Sequence, residues 1–143
     1  MHNKRTLPQR GMTLIELLVV LVILGLIASL AGPQVMKYLG GAKTDTAKQQ
    51  ISLFDSVLDG YKLDNGRYPT TQEGLDALVK APAGVNSWKG PYLKKSTLPK
   101  DPWGNPYVYT SPGEQGRAYD ILSYGADGKP GGEGENRDVA SWE

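Results

Sequence analysis

The sequence predicts an α+β fold in which one long N-terminal helix packs on a small antiparallel sheet. The first half of that helix is apolar enough for a membrane and the second half is amphipathic. Three observations predict this. Leu14 to Ala31 is apolar, interrupted only by Glu16, Gly25 and Ser29. Ile51, Phe54, Leu58 and Tyr61 then recur at i, i+3, i+7 and i+10, one face of a helix. After Asn65, where most of the 18 Gly and 10 Pro lie, Tyr107-Val108-Tyr109 and Ala118 to Leu122 read as two strands. Ser111-Pro112-Gly113 and Gly116 lie between them, giving a two- or three-stranded sheet.

The apolar run of 18 residues covers about 27 Å at 1.5 Å per residue, close to the hydrocarbon thickness of a bilayer. Lys4, Arg5 and Arg10 precede it with no acid among them, which keeps the leader cytoplasmic and exports the rest. Glu16 is the anomaly, because a charged side chain costs roughly 2.5 to 3.5 kcal/mol at mid-membrane. Three readings compete on the residues alone. A secretory signal would be cut after Ser29-Leu30-Ala31, before Gly32. A plain anchor would let Glu16 reach the cytoplasmic interface. In the third, a cut after Gly11 frees an amine on Met12, and Glu16, four residues on, meets that amine or a neighbouring subunit's.

Gly32-Pro33 should kink the helix or melt one turn, since proline removes a backbone hydrogen bond. Asp45, Lys48, Gln49, Asp55, Asp59 and Lys62 are available for the wet side of the amphipathic half. The helix should stop near Asp64-Asn65-Gly66. Its N-terminal half has no partner in its own chain and calls for lipid or other helices. Thr70 and Glu73 form a T-x-x-E capping box that predicts a short second helix over Thr71 to Lys80. Pro82, Gly84, Gly90 and Pro91 mark loops, and the aromatics read as core packing.

The chain has no Cys, and its single His is His2. With the leader removed, no Ser-His-Asp or Cys-His nucleophile and none of the common zinc sites can be built, so an enzyme is not expected. Lys4, Arg5 and Arg10 are three of the 16 basic residues; without residues 1–11 the balance is 13 basic against 15 acidic, with no basic cluster suited to nucleic acid.

Arg10-Gly11 followed by Met12-Thr13-Leu14-Ile15-Glu16 resembles the class III leader and N-terminus of type IV pilins and pseudopilins. Phe is usual where this chain has Met12. Glu16 falls on the family's fifth mature position and Pro33 on its twenty-second. Tyr61-Lys62-Leu63-Asp64-Asn65-Gly66-Arg67-Tyr68-Pro69 resembles the pseudopilin segment that leaves the long helix. Leu98 to Tyr107 is similar to the Pro-x-Asp-Pro-Trp-Gly-x-x-Tyr signature of the major pseudopilins of type II secretion, where Pro102 and Gly104 permit a turn that folds Trp103 inward.

The resemblance implies a type IV pilin-like fold with a leader over 1–11, a transmembrane and filament-core helix over 12–34 and a periplasmic globular domain over 35–143. It implies cleavage after Gly11 by prepilin peptidase and N-methylation of Met12. It further implies a homopolymer anchored in the inner membrane before assembly, with minor pseudopilins and the inner-membrane assembly platform as partners. Secretion of folded proteins across the outer membrane would be the function. The alternative is a type IV pilus subunit for adhesion or motility. Such subunits often close a C-terminal loop with a disulfide, which this chain cannot form. A membrane-anchored periplasmic enzyme or binding module is disfavoured by the lack of His, Cys and a second domain.

Residues 123–142 combine a glycine-rich backbone with oxygen donors. Asp127, Glu133, Glu135, Asn136 and Asp138 lie within twelve residues, and calcium takes six to eight oxygens from carboxylates and carbonyls alike. Lys129 and Gly131 stand where an EF-hand needs oxygen donors, so that motif is rejected. The resemblance implies a calcium loop here: its Ser-x-Gly-x-Asp-Gly start matches Ser123 to Gly128 and makes Asp127 a carboxylate ligand and Tyr124 a carbonyl ligand. Asp138 matches the acid before the terminal Trp segment. Some members carry two adjacent acids where this chain has Arg137, leaving Glu133, Glu135 or Asn136 to complete the set.

Overall fold

A computed structural model describes residues 10–143. The leader over 1–11 therefore lies outside the described residues except for Arg10 and Gly11. One α-helix, α1, covers Leu14–Asn65. The described residues divide into two compact units between Lys37 and Tyr38.

In the first unit every apolar side chain from Met12 to Met36 is exposed. The most apolar 18-residue window of α1 has a mean hydropathy of 2.9 and no residue buried, which suits a membrane span by length and composition. The turn around Pro33 is helical, not melted. Proline's fixed φ is helix-compatible, and its missing N–H leaves only the carbonyl four residues back, at Ser29, without an intrahelical donor. Ser29 Oγ donates to the Leu26 carbonyl one turn earlier (2.7 Å).

The second unit is built on the buried stripe Gly40, Ala47, Ile51, Phe54, Leu58 and Tyr61, which steps by three, four or seven residues along α1. Three short strands form an antiparallel sheet in the order β1 (Val108–Thr110), β2 (Asp120–Ser123), β3 (Val139–Ala140). Tyr109 pairs with Ile121 and Ser123 with Val139, so these four side chains share the inner face and are buried. Tyr109, Ile121 and Val139 pack against the helix stripe together with Leu75, Ala77, Leu78 and Leu93. Phe54 meets the edge of Tyr107 with ring centroids 5.3 Å apart. Trp103 is half-buried against the same core, although its indole N–H has no partner.

The helix stop agrees with the sequence. Gly66 takes φ +74° and donates its N–H to the Lys62 carbonyl (2.7 Å), a left-handed cap that only glycine adopts without strain. The second helix does not reach its expected length. The Thr70–Glu73 box forms in both directions, Thr70 N–H to Glu73 Oε2 (2.8 Å) and Glu73 N–H to Thr70 Oγ1 (3.2 Å). Beyond the box the chain makes only a 3₁₀ turn over Leu75–Leu78. Gly74 sits at φ +60°, ψ −166°, which breaks the chain direction immediately after Glu73.

Asp59 is exposed on the wet side of α1 as expected, whereas Asp55 is half-buried, and both accept tyrosine hydroxyls. Tyr119 donates its hydroxyl to Asp55 (3.0 Å) and Tyr68 to Asp59 (2.9 Å), while Tyr107 donates to Gln50. Three tyrosines thus bind polar groups on the flanks of the apolar stripe, fixing how the sheet and its loops sit on α1 within this unit.

Candidate functional site

The first candidate site is the start of α1. Thr13 N–H donates to Glu16 Oε2 (3.2 Å), and Glu16 N–H donates to Thr13 Oγ1 (3.3 Å). This is a reciprocal capping box, Thr13 at the N-cap and Glu16 three residues on, and it satisfies amides that the helix leaves without partners. It also places a carboxylate at the positive end of the helix dipole. Sequence alone pairs Glu16 with the amine that cleavage would expose. It leaves Thr13 out, though the signal is the same T-x-x-E pattern recognised at Thr70 and Glu73. Met12, Ile15, Glu16, Val19 and Val20 line a shallow, largely apolar recess here. An exposed apolar surface this large marks a membrane or protein contact.

The second candidate is the C-terminal loop. Among the described residues no three Asp, Glu, His or Cys side chains converge as a metal cage. Asp138 takes the Gly131 amide on Oδ2 (2.9 Å), while its Oδ1 is buried without a partner. Such an orphaned carboxylate oxygen is costly unless a cation or water meets it. Tyr124 and Asp138 line one groove on the outer face of the sheet, beside Pro130, Leu122 and Ala140. Asp127 is exposed and accepts the Lys129 amide (3.1 Å).

Glu133, Glu135 and Asn136 are exposed and stand outside that groove. Glu135 packs over Gly40 of α1, where a β-carbon would come within 2.6 Å of its Cγ, and its carboxylate lies 3.9 Å from Lys43 Nζ. That carboxylate is turned to the helix. Arg137 pairs with Glu143 (3.0 Å). The loop doubles back at Gly125, where φ is +66° and a β-carbon would lie 2.5 Å from the Glu135 carbonyl oxygen and 2.9 Å from that of Arg137. The Ala126 amide donates to the Glu135 carbonyl (2.8 Å) and closes the return.

Comparison with known proteins assigns the family. A family model for type II secretion system protein G matches residues 34–142. The chain belongs to the type II secretion system protein G family. A model of the prokaryotic N-terminal methylation motif matches residues 7–32, spanning Gly11, Met12 and Glu16. The core protein G of Pseudomonas aeruginosa type II secretion is 52% identical over 139 residues, covering 94% of this chain and 96% of the relative. Those of Vibrio cholerae and Escherichia coli are 45% and 46% identical over 142 and 143 residues, each covering 97% of this chain and 95% and 94% of the relative. The crystal structure of the major pseudopilin from the type 2 secretion system of enterohaemorrhagic Escherichia coli superimposes with a TM-score of 0.63 at 36% identity, covering 77% of this chain and 95% of that one. Membership in the protein G family makes this chain a pseudopilin, built from a long N-terminal helix and a small three-stranded sheet.

Proposed function

We propose that this chain is the repeating structural subunit of a type II secretion pseudopilus and that assembly is its mechanism. The precursor sits in the inner membrane by its apolar helix, N-terminus in the cytoplasm and second unit in the periplasm. Prepilin peptidase cuts after Gly11 and Met12 is methylated. The assembly platform then draws the subunit into a periplasmic homopolymer, tipped by minor pseudopilins, that moves folded proteins across the outer membrane. The carrying observation is the uncovered apolar face from Met12 to Met36, with its one carboxylate, Glu16, bonded at the helix start.

Helices leaving lipid for a filament core exchange one apolar surrounding for another, so packing and polar pairs decide the geometry. Glu16 releases the Thr13 amide for the ammonium that cleavage creates on Met12 of an adjoining subunit, which fixes axial register. Replacement of Glu16 by Ala is expected to leave membrane insertion intact and abolish filaments; normal filaments would refute the pairing. N-terminal sequencing with mass measurement tests the processing. Methyl-Met12 supports it, whereas Gly32 or Met1 at the N-terminus would mean an export signal or a plain anchor.

The C-terminal loop is a calcium site in this reading, held by Asp127, Asp138 and the Tyr124 carbonyl. The buried, unpartnered Oδ1 of Asp138 supports it, as does a donor set made of hard oxygens. Bound calcium would supply positive charge to tie a loop with little apolar surface of its own. Ligand binding stabilises by mass action, so chelation should lower the Tm of the second unit. Identical melts with and without chelator would count against the site.

A further inference from the structure

The Asp101 carboxylate is 4% exposed, among the few buried polar side chains of the second unit, and both of its oxygens are occupied. Oδ1 accepts the amides of Trp103 (3.1 Å) and Asn105 (2.7 Å). Together with the Asp101 amide on the Asn105 carbonyl (2.8 Å) and the Gly104 amide on the Asp101 carbonyl (2.9 Å), these bonds close the Asp101–Asn105 turn. That turn needs only Oδ1. Oδ2 reaches outside it and accepts the hydroxyl of Ser123 at 2.6 Å, twenty-two residues along the chain at the end of β2.

From there both polar groups of one residue are fixed. Ser123 Oγ accepts the Gly125 amide (3.3 Å), and Asn105 Nδ2 donates to the Gly125 carbonyl (2.8 Å). Gly125 is the crossing point of the C-terminal loop, where the carbonyls of Glu135 and Arg137 pass too close for any side chain. Tyr124, whose carbonyl is a proposed calcium ligand, lies between Ser123 and Gly125 in sequence.

We infer that Asp101 is a positioning residue for the calcium loop, acting through Ser123 and Asn105 on both sides of Gly125. The inference rests on the calcium reading of that loop. The reason is entropic and electrostatic. The glycine-rich loop has wide backbone freedom, and a cation bound by backbone oxygens is held well only if those oxygens are oriented beforehand. A buried carboxylate with three donors is a rigid anchor for that purpose. Asp101 thus gives the Asp-Pro-Trp-Gly turn a task beyond turning the chain: it aligns a loop more than twenty residues away.

Asp101→Asn separates the two roles. Its amide oxygen still closes the turn through Trp103 and Asn105, while its nitrogen can no longer accept the Ser123 hydroxyl. Asn105→Ala removes only the bond to the Gly125 carbonyl and keeps the turn's backbone. Calcium titrated into the full chain in detergent, by calorimetry, should show each variant binding about tenfold more weakly, the scale of one lost hydrogen bond. Proteolysis of the loop over 126–138 should require correspondingly more calcium to be suppressed, while metal-free melting of Asn105→Ala stays near native. Should Asp101→Asn fail to fold, Asn105→Ala decides alone. Native affinity in the folded variants overturns the role of Asp101 and leaves the calcium site standing. A native chain that ignores calcium removes the site itself and this inference with it.

Discussion

Thr13 and Glu16 exchange two hydrogen bonds at the first turn of α1, amide to carboxylate at 3.2 Å and amide to hydroxyl at 3.3 Å. The acid that makes the apolar segment anomalous is thereby the helix's own cap. It has a partner before any second subunit arrives, which lowers the cost of keeping a carboxylate at the membrane edge.

Glu16→Gln distinguishes the cap from the charge. The amide oxygen can still accept from Thr13, so the variant should insert and start its helix normally. It cannot pair with an ammonium as a carboxylate does, so filaments should be lost, as scored by electron microscopy of assembled fibres. Thr13→Val should instead loosen the first turn by about 1 kcal/mol, seen as faster amide exchange at residues 14–17.

Phe54 is fully buried where the helix stripe meets Tyr107. Phe54→Ala should destabilise the second unit by about 3 to 5 kcal/mol, read from the urea midpoint. Leu53, 51% exposed one residue earlier on α1, should tolerate the same truncation with a far smaller loss.

The acid limb of stability has an assigned origin. The Arg67 guanidinium binds both oxygens of Glu73 at 2.7 Å and holds its carboxyl down from an ordinary 4.5 to about 2. Arg117 lowers Asp120 in the same way. A depressed folded-state pKa contributes stability that is full above the unfolded value and lost as pH falls through the folded one. Stability should therefore decline from about pH 4.5 toward about pH 2, and Glu73→Gln should flatten that decline in acid titrations of the urea midpoint. Asp55 opposes the trend, because burial pushes its carboxyl up, though the Tyr119 hydroxyl offsets part of this.

Gly125→Ala should be severe. A β-carbon there meets carbonyl oxygens at 2.5 and 2.9 Å from backbone that cannot swing aside, and the φ of +66° disfavours any side chain. The expected outcome is a loss of about 2 kcal/mol or more and, on the proposed calcium site, no calcium-dependent rise in Tm. Gly131→Ala, with open space around it, tests how much of that loss belongs to the left-handed backbone alone.

Much of the fold is legible in the chain. Ile51, Phe54, Leu58 and Tyr61 announce the core because a helix buries residues at its own period, and all four are buried. Asp64-Asn65-Gly66 announces the stop because few residues besides glycine accept the left-handed cap. The third strand does not announce itself: Val139 and Ala140 are too few to show alternation and become a strand only because β2 pairs with them. The fate of Asp55 is also hidden, since its tyrosine partner comes from a distant segment.

The sequence by itself determined the apolar helix, its lone acid, the stop at Gly66 and the reciprocal cap at Thr70, because each depends on residues within a turn or two of one another. Only the tertiary structure decided how far the second helix runs past Gly74, which acids face solvent, and that Asp101 reaches Gly125 through Ser123 and Asn105. Those outcomes depend on which distant groups packing brings within hydrogen-bonding range, and local spacing carries no record of that.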